Sequence, residues 1–466
     1  MGGGNATVTS IDPGTGLELA RVADLTAEDV AAAVDAAAAT FRSNAWSTLP
    51  INERCAKLHR LADVVEANQS DLAQIESMDA GKILSQAEGD VANFVDSIRY
   101  YADLAQHVQP RTVLAVKGHD AWTVRHPWGP CGFIIPWNFP FLLLGWGLGP
   151  ALAAGNTVVV KPAEDTPLST LYVARLAQEA GIPDGVINVV PGRGETTGAA
   201  LSNNPKLKRM SFTGSPEVGR LVAESCGRNL VPVKCELGGK GAAVIFDDVD
   251  LEAALPTLVG ACVQGAGQTC SAASRVLVQR GIYDEVRRRM AEVYAGLEVG
   301  PAPDNRDLGP LVSAKQKKIV SDYIALGKRD LTVAAEGTIL PDAPKAGHYV
   351  APILFAEVPP DHRLAQEEVF GPVQVLIPFE DEAEALRIAN GTEYGLVAGL
   401  WTRDGARQMR MARKLNVGQV FINNYGAGGG IELPFGGVGK SGHGREEGFE
   451  ALYGFSRLKT VTAQHG

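Results

Sequence analysis

The chain has 466 residues, with 43 Lys plus Arg against 53 Asp plus Glu and a formal net charge of −10. This length requires more than one hydrophobic core, and the 45% hydrophobic content is enough for two or three. The sequence has no Lys/Arg-rich run, which argues against nucleic acid or an anionic membrane surface as a partner and favours a small molecule.

Targeting and cysteine patterns narrow the class of protein further. The apolar run at 139–154 is interrupted by prolines and glycines, so it does not predict a membrane-spanning helix. The N-terminus lacks a basic start and an apolar stretch, so we expect no secretory signal and a cytoplasmic location. The six cysteines contain no Cys-x-x-Cys pair and match no His cluster, which argues against a metal site and a disulfide framework.

Helical patterns dominate the first hundred residues. Ala-rich amphipathic patterns predict helices over 27–43 and 52–79, and a further pattern predicts a helix over 86–107. We expect these helices to flank a sheet.

Short apolar strands alternate with helical segments from residue 131 onward. Thr166 is predicted to cap a helix that has Pro167 in its first turn and Gly181 past its end. The alternation predicts a parallel, doubly wound sheet. Its strands are predicted at 131–135, 157–161, 186–190, 209–212 and 231–235, with further helical segments near 195–203 and 216–226.

A second series of strands and helices follows, which we interpret as a second α/β domain. Two stretches rich in Pro, Gly and Asp, 300–312 and 335–350, are predicted to be loops. The predicted strands are 242–246, 275–279, 370–376 and 418–423, with a helix near 282–297.

Cys270 and Glu236 are the first candidates for chemistry. Most free cysteines are buried core residues, but Cys270 has small and polar neighbours that would leave its sulfur accessible. Glu236 follows a strand and precedes two glycines, so its carboxylate is expected at the carboxyl end of the sheet, where ligands of open α/β folds bind. On this pattern alone it is equally a solvated glutamate at a strand end.

Other polar segments are weaker signals. Asn138, held between Pro136 and Pro140, could donate to an oxyanion or could be an ordinary turn residue. Ser215 follows a strand and precedes a helix whose N-terminus can bind a phosphate group. The glycines of 192–198 fit neither a dinucleotide fingerprint nor a P-loop.

Taken together, these segments resemble the NAD(P)-dependent aldehyde dehydrogenase superfamily over almost the whole chain, in its hydrolytic, non-CoA-acylating type. The segments occur in the order typical of the family. They are Pro-Trp-Asn-Phe-Pro (136–140), Lys-Pro-Ala-Glu (161–164), Phe-Thr-Gly-Ser (212–215), Glu-Leu-Gly-Gly-Lys (236–240), Gly-Gln-Thr-Cys (267–270), Glu-Glu-Val-Phe-Gly-Pro (367–372), Pro-Phe-Gly-Gly (434–437) and Ser-Gly-His-Gly-Arg-Glu (441–446).

The resemblance implies two doubly wound Rossmann-like α/β domains plus a small β oligomerisation arm, and assembly into a homodimer or homotetramer. Only ten residues precede Ile11, where the family usually carries a strand or two, so the N-terminal hairpin is left open. The implied division is an NAD-binding domain of 1–107 and 128–236, a catalytic domain of 237–440, and an arm of 108–127 with the C-terminal strand in 441–466.

The resemblance also implies the chemistry. Cys270 attacks the aldehyde to give a thiohemiacetal, whose oxyanion is held by the Asn138 side chain and the Cys270 N–H. Glu236 is the candidate base that removes the thiol proton, through water and a relay to Glu446. After hydride transfer, Glu236 deprotonates the water that hydrolyses the thioester. The expected substrate is a small-molecule aldehyde.

The implied cofactor residues divide by the part of NAD that they contact. Lys161 and Glu164 bind the adenosine ribose, Ser215 the pyrophosphate and Glu368 the nicotinamide ribose. Because a carboxylate at the ribose disfavours a 2′-phosphate, Glu164 favours NAD, whereas Lys161 and Arg193 leave NADP open. The remaining expected contacts are Ile134, Ile135, Pro136, Trp137, Gly194, Gly198, Phe212, Gly214, Leu237, Gly238 and Phe370. No metal is implied.

A tunnel leading to the cysteine selects the substrate in this family. Gly428 lies in a glycine-rich loop where relatives with narrow tunnels carry a large aromatic residue, although a flexible turn explains the glycines as well. We therefore expect a tunnel wide enough for an aromatic or medium-chain aldehyde or a semialdehyde. The expected lining is Leu142, Trp146, Gln264, Thr269, Gly428 and Phe435.

Three alternatives are weighed against this reading. Members that transfer the acyl group to coenzyme A typically lack the glutamate matched by Glu236. A non-catalytic NAD-binding structural subunit would be expected to have lost the cysteine, the asparagine or the glutamate, and all are present. A cysteine hydrolase needs a His partner, and none of the eight histidines lies in a motif for that role.

Overall fold

The fold is an α/β architecture of two parallel-type sheets, a small antiparallel sheet and a largely helical N-terminal region. The computed structural model describes residues 6–107, 111–426 and 430–465. Its strands are β1 (Thr7–Ile11), β2 (Glu18–Ala23), β3 (Arg111–Val116), β4 (His119–Pro127), β5 (Pro130–Ile134), β6 (Thr157–Lys161), β7 (Ile187–Val189), β8 (Arg209–Thr213), β9 (Val233–Glu236), β10 (Ala242–Ile245), β11 (Arg275–Gln279), β12 (Glu298–Val299), β13 (Thr332–Glu336), β14 (Thr338–Ile339), β15 (Ile353–Ala356), β16 (Val373–Phe379), β17 (Tyr394–Gly395), β18 (Val397–Trp401), β19 (Gln419–Ile422), β20 (Val438–Gly439), β21 (Gly442–His443) and β22 (Ser456–Gln464). Its α-helices are α1 (Ala27–Arg42), α2 (Ile51–Ala67), α3 (Gln69–Ala80), α4 (Leu84–His107), α5 (Pro140–Ala153), α6 (Leu168–Glu179), α7 (Ala199–Ser202), α8 (Pro216–Arg228), α9 (Leu251–Val263), α10 (Tyr283–Ala295), α11 (Ala314–Asp330), α12 (Arg363–Gln366), α13 (Glu382–Ala389), α14 (Gly405–Lys414) and α15 (Gly448–Gly454).

The N-terminal region answers one question that the sequence left open and corrects one prediction. β1 and β2 form an antiparallel hairpin, so the short N-terminus does carry this element. The prediction of a single helix over 52–79 is wrong, because the helix is interrupted at Asn68, between α2 and α3. The Asn68 side chain donates to the carbonyl of Val64 at 2.8 Å, a local bond that competes with helix continuation.

The first parallel sheet has the strand order β7-β6-β5-β8-β9, with β21 antiparallel on the outer side of β9. The chain winds outward from β5 through β6 to β7, then returns to the other side of β5 to form β8 and β9. The doubly wound prediction is confirmed for this sheet. Its switch point lies between β5 and β8, where the carboxyl ends of the strands form a ligand-binding crevice.

The N-terminus of α6 is not capped by the residue that the sequence predicted. Thr166 is not the capping residue, since its buried hydroxyl has no hydrogen-bond partner among the described residues. Instead the N–H of Leu168, the first helical residue, donates to Oδ2 of Asp79 at 2.9 Å. Asp79 also accepts from the Ser10 hydroxyl at 2.5 Å, and burial raises the pKa of this carboxyl to about 7. Gly181 follows the helix with a φ of 75°, as predicted.

The second sheet has the order β13-β15-β16-β11-β10-β18-β19, parallel except for β13. The predicted strand at 370–376 begins later, at Val373, because Phe370 has a φ of 56° and Gly371 and Pro372 follow it. The predicted loop at 335–350 is interrupted by the end of β13 and by β14, which pairs with β12.

The small antiparallel sheet has the order β22-β4-β3, so β22 pairs with the hairpin that follows α4. In contrast, β21 belongs to the first sheet although it lies in the segment 441–466 expected for the arm. Residues 108–110 of the expected arm lie outside the described residues. In the described part of the chain, no helix has the length and apolarity needed to span a bilayer.

Candidate active site

The nucleophile candidate, Cys270, lies in the loop between α9 and β11, beside segments from the first sheet. The Asn138 side chain, which follows β5, donates from Nδ2 to the carbonyl of Gln268 at 2.9 Å. The backbone after Glu236 also packs on this loop, because a Cβ added to Gly239 would lie 2.2 Å from the carbonyl oxygen of Cys270. The structure therefore brings the three predicted segments together between the two sheets.

Cys270 differs from the other cysteines in its exposure. All six cysteines lie within the described ranges, and Cys270 is half-buried whereas the other five are buried. Burial raises the pKa of its thiol, and the negative charges of Glu236, Glu368 and Glu446 raise it further. The thiol is therefore neutral near pH 7 and needs a base to become the nucleophilic thiolate.

Glu236 is a buried carboxyl group to which no described residue donates a hydrogen bond. Its side chain stands at the carboxyl end of β9 and the residue is 1% exposed. Across the described ranges, neither of its carboxylate oxygens has a hydrogen-bond partner. Burial raises its pKa well above the usual range, Lys234 opposes that rise and Glu446 adds to it. Such a carboxyl holds a proton readily and suits a general base.

Glu446 is held by contacts from two directions. Its carboxylate pairs with the ammonium group of Lys234, and both side chains are almost fully buried. The backbone N–H of Glu446 donates to the carbonyl of Phe435 at 2.8 Å, and the Phe435 N–H donates back to Glu446 at 2.8 Å. These bonds join the Pro-Phe-Gly-Gly segment to the Gly-Arg-Glu segment and place the carboxylate near Glu236.

The loop before the cysteine has an unusual backbone. Gly265, Ala266 and Gly267 all have positive φ, with values of 58°, 54° and 76°. The Gln268 side chain supports this shape by donating to the carbonyl of Gly265 at 3.0 Å and accepting from the N–H of Val312 at 3.0 Å. Gln86 of α4 accepts from the N–H of Gly265 at 3.1 Å. The sequence does not predict the contact of Gln86, because no local motif connects this residue to a loop so distant in the chain.

The adenosine-side candidates lie at the carboxyl end of β6. Lys161 is 1% exposed and donates from Nζ to Oε2 of Glu164 at 3.2 Å. The other oxygen of Glu164 accepts from the N–H of Gly194 at 3.3 Å. Arg193 instead donates from Nε to Oδ2 of Asp24 at 3.1 Å. Gly198 packs on Lys161, since an added Cβ would lie 3.3 Å from its Cδ.

The start of α8 lies beside this cleft. The Ser215 hydroxyl caps the helix by accepting from the N–H of Val218 at 3.3 Å. Gly214 lies against the ring of Phe212, where an added Cβ would be 2.7 Å from Cζ. A helix N-terminus of this kind favours an anionic group. Leu237, which is 9% exposed, packs behind α8 against Gly219.

The nicotinamide-side candidates lie close to the catalytic loop. Oε1 of Glu368 accepts from the N–H of Gly239 at 2.7 Å, and burial raises the pKa of this carboxyl to about 7. Gly238 leaves room for it, because an added Cβ would lie 2.2 Å from Oε2. The Phe370 ring packs edge-on against Trp137, with centroids 5.2 Å apart. Ile135 is buried beneath this region, whereas Ile134 and Pro136 are half-buried.

The expected tunnel residues fall into buried and accessible groups. Trp146 and Phe435 are nearly fully buried with ring centroids 5.3 Å apart, and Trp146 donates to Oδ1 of Asn93 at 2.8 Å. Leu142 is half-buried, Gln264 is exposed, and the buried Thr269 donates to the Gln264 carbonyl at 3.3 Å. Gly428 lies outside the described residues. Elsewhere in the described chain, no cluster of three or more His, Cys, Asp or Glu is arranged to hold a metal ion.

Comparisons with known proteins agree with this geometry. The sequence model of the Aldehyde dehydrogenase family matches residues 2–461. An aldehyde dehydrogenase of Emericella nidulans is 42% identical over 98% of this chain and 91% of its own length. The crystal structure of a putative aldehyde dehydrogenase from Burkholderia cenocepacia has a TM-score of 0.97 and 52% identity, covering 99% of this chain and 97% of that chain.

A second solved relative is an indole-3-acetaldehyde dehydrogenase mutant of P. syringae, in complex with NAD+ and IAA. It has a TM-score of 0.95 and 36% identity, covering 98% of this chain and 93% of that chain. Identity at this level over nearly full length confirms the resemblance that the ordered segments indicated. The chain therefore belongs to the aldehyde dehydrogenase family.

Proposed function

We propose that the protein oxidises an aldehyde to the carboxylic acid with NAD+, through a thiohemiacetal and a thioester on Cys270. The observation that carries this proposal is the convergence of Asn138 and the Glu236 segment on the loop of the one half-buried cysteine in the described chain. A carboxyl that accepts protons and a thiol that must lose one are complementary neighbours.

NAD fits the cleft at the carboxyl ends of the first sheet. The start of α8 offers backbone N–H groups for a pyrophosphate, and the carboxylate of Glu164 can accept hydrogen bonds from the hydroxyls of a ribose. Because the Arg193 guanidinium is engaged by Asp24, the cation that would favour NADP is partly neutralised. The family relative from P. syringae was solved with NAD+. When bound, the nicotinamide group accepts the hydride that leaves the substrate carbon.

The residues of the chain account for the other bonds made and broken. The thiol proton moves from Sγ of Cys270 to Glu236, and the thiolate forms a bond to the aldehyde carbon. Asn138 Nδ2 and the Cys270 N–H stabilise the resulting oxyanion. After hydride loss, Glu236 releases the thiol proton toward solvent and then takes a proton from water, whose oxygen bonds to the thioester carbon. The C–S bond then breaks with its electron pair on sulfur. Hydrolysis is favoured over transfer to coenzyme A because Glu236 is present and buried beside the thiol.

We propose an aromatic or medium-chain aldehyde or a semialdehyde as the substrate. The Trp146 and Phe435 rings would form an apolar wall of the substrate tunnel, and the exposed Gln264 offers a polar contact. The P. syringae relative is named an indole-3-acetaldehyde dehydrogenase. A panel of acetaldehyde, benzaldehyde-type, C6–C10 and semialdehyde substrates tests this choice, and a higher kcat/KM for acetaldehyde would contradict it.

Cytoplasmic location and assembly into a homodimer or homotetramer stay predictions. The small antiparallel sheet supports assembly, since Val113, Val116 and Leu458 are exposed by 80%, 46% and 60%. Apolar exposure of this extent on one small sheet favours contact with a second copy.

Two substitutions test the mechanism. Cys270→Ala should abolish aldehyde-dependent NADH formation and leave NAD binding intact, whereas Cys55→Ala, at a buried position in α2, should keep the activity. Glu236→Gln should stall hydrolysis and leave a thioester adduct that intact-protein mass spectrometry detects. Turnover by Cys270→Ala would remove Cys270 from the mechanism. The absence of an adduct in Glu236→Gln would show that Glu236 mainly removes the proton of the thiol and is not limited to the hydrolytic step.

A further inference from the structure

Lys234 is a buried cation beside the proposed base. It lies two residues before Glu236 on β9, so both side chains leave the strand on the same face. The residue is 3% exposed, and its ammonium group pairs with the carboxylate of Glu446, which is 6% exposed. A lysine buried to this degree is costly unless it is paired, so its position calls for an explanation.

The backbone around this lysine has a shape that accommodates it. β21 pairs antiparallel with β9, placing Gly442 opposite Glu236 and His443 opposite Cys235. The next residue, Gly444, has a φ of 89°, and an added Cβ there would lie 2.4 Å from Cγ of Lys234. The turn therefore wraps over the lysine stem and delivers Glu446 to its ammonium group.

The charges facing the proposed base come from several elements. Burial disfavours the ionised form of Glu236. Lys234 contributes most in favour of that form, and Arg445 acts in the same direction. Glu446 acts in the opposite direction. The groups around Glu236 and Glu446 are Lys234 and Cys235 of β9, Arg445, Glu446 and Glu447 after β21, Cys270 of the catalytic loop and Tyr101 of α4.

We propose that Lys234 is a positioning residue that controls the ionisation of Glu236. Its ammonium group, held in place by Glu446, stabilises the Glu236 carboxylate. Glu236 can then give up the proton taken from the thiol and accept the next proton from the hydrolytic water. The inference rests on the proposed function, because it assigns a role within the same thioester hydrolysis.

The ammonium group of Lys234 favours the ionised form of Glu236. A unit charge near a buried carboxyl shifts its pKa by about one unit. Loss of the ammonium group raises the pKa of Glu236, so the base is ionised only at higher pH. The limiting rate at high pH does not depend on Lys234 in this scheme.

The test compares Lys234→Met and Lys234→Arg with the unchanged protein. In Lys234→Met, the rising limb of the pH profile of kcat should move up by about one pH unit, with a fall of about tenfold near neutral pH. The rate at high pH, the KM and the NAD affinity should stay the same. Lys234→Arg should restore the profile. Lys206→Met, which breaks an exposed pair with Asp35, is the matched control and should leave the profile unchanged.

A second variant is needed if Lys234→Met fails to fold because Glu446 is left buried without its partner. Lys234→Met combined with Glu446→Gln removes both charges, and such neutral replacements of a buried pair are often tolerated. Its profile should move in the same direction, because the lysine outweighs Glu446 in its effect on Glu236. A uniform loss of rate at every pH, in either variant, would show a merely structural role and overturn the proposal.

A cofactor-independent readout separates this inference from the proposed function. The acyl-enzyme preformed with p-nitrophenyl acetate loses its acetyl group by the same hydrolysis, which mass spectrometry follows against pH. If no aldehyde supports NADH formation but acyl-enzyme decay shifts in Lys234→Met, the proposed function fails and the role of Lys234 stands. If aldehyde oxidation is present and acyl-enzyme decay keeps its pH dependence in Lys234→Met, the role of Lys234 is wrong.

Discussion

Replacing Gly239 with alanine tests the packing of the base segment against the nucleophile loop. The added Cβ would lie 2.2 Å from the carbonyl oxygen of Cys270, where ordinary contacts begin at 3.4 Å, so the atoms must separate by about 1.2 Å. Both atoms belong to or adjoin backbone, so no side chain can rotate to relieve the clash. A misplacement of about 1 Å at a reacting group costs roughly 100-fold in rate, and overpacking costs about 1–3 kcal/mol of stability.

The assay measures NADH formation, the alkylation of Cys270 by iodoacetamide, and the melting temperature. Gly239→Ala should lose about 100-fold in kcat/KM while the protein stays folded. The control is Gly227→Ala in α8, where no described atom outside the local helix backbone lies within 4 Å of the added Cβ. It should keep full activity and gain roughly 0.5–1 kcal/mol from its higher helix propensity. Wild-type kinetics in Gly239→Ala would refute the view that these two segments are in rigid contact.

Four further outcomes follow from the site and its surroundings. Because burial raises the pKa of Cys270, its alkylation by iodoacetamide without cofactor should accelerate as the pH rises above neutrality, and a rate independent of pH between 7 and 9 would contradict this. Glu164→Gln should raise the NADP-to-NAD ratio of kcat/KM by about tenfold, equal to roughly 1.4 kcal/mol of lost repulsion, and steady-state kinetics with both cofactors checks it. Asp79→Ala should lower the melting temperature, at a cost of about 1–3 kcal/mol, because it leaves the N–H of Leu168 without its acceptor. Thr166→Val should leave the melting temperature unchanged or higher, since its hydroxyl has no partner in the described structure.

Local patterns predicted those parts of the fold that local interactions determine. The strand at Thr157–Lys161 was predicted at its observed bounds, because an apolar run lies between a Gly-Asn turn and a proline. The sequence does not predict the helix break at Asn68, since a single polar side chain within a strong helical pattern carries little signal. The cap of α6 was assigned to Thr166, although the acceptor comes from Asp79 of a helix distant in sequence.

The residues of the candidate site also divide into those that lie in local motifs and those whose contacts come from distant parts of the chain. Cys270, Glu236 and Asn138 lie in motifs that the sequence displays, and the structure brings their segments together. Gln86 and Lys234 lie in no such motif, and only tertiary packing reveals their contacts with the loop and with Glu446. Residues that support a reaction through space, rather than along the chain, leave no pattern that a single sequence can display.

The pairing of β21 with β9 has a consequence for biosynthesis. β9 is complete once Glu236 has been synthesised, but the strand that covers its outer edge is formed by Gly442 and His443. Until that segment emerges, the edge of the first sheet is open, and open edges are prone to pairing with other chains. We expect C-terminally truncated or stalled chains to aggregate through this edge, so chaperone demand should persist until residue 446 has left the ribosome.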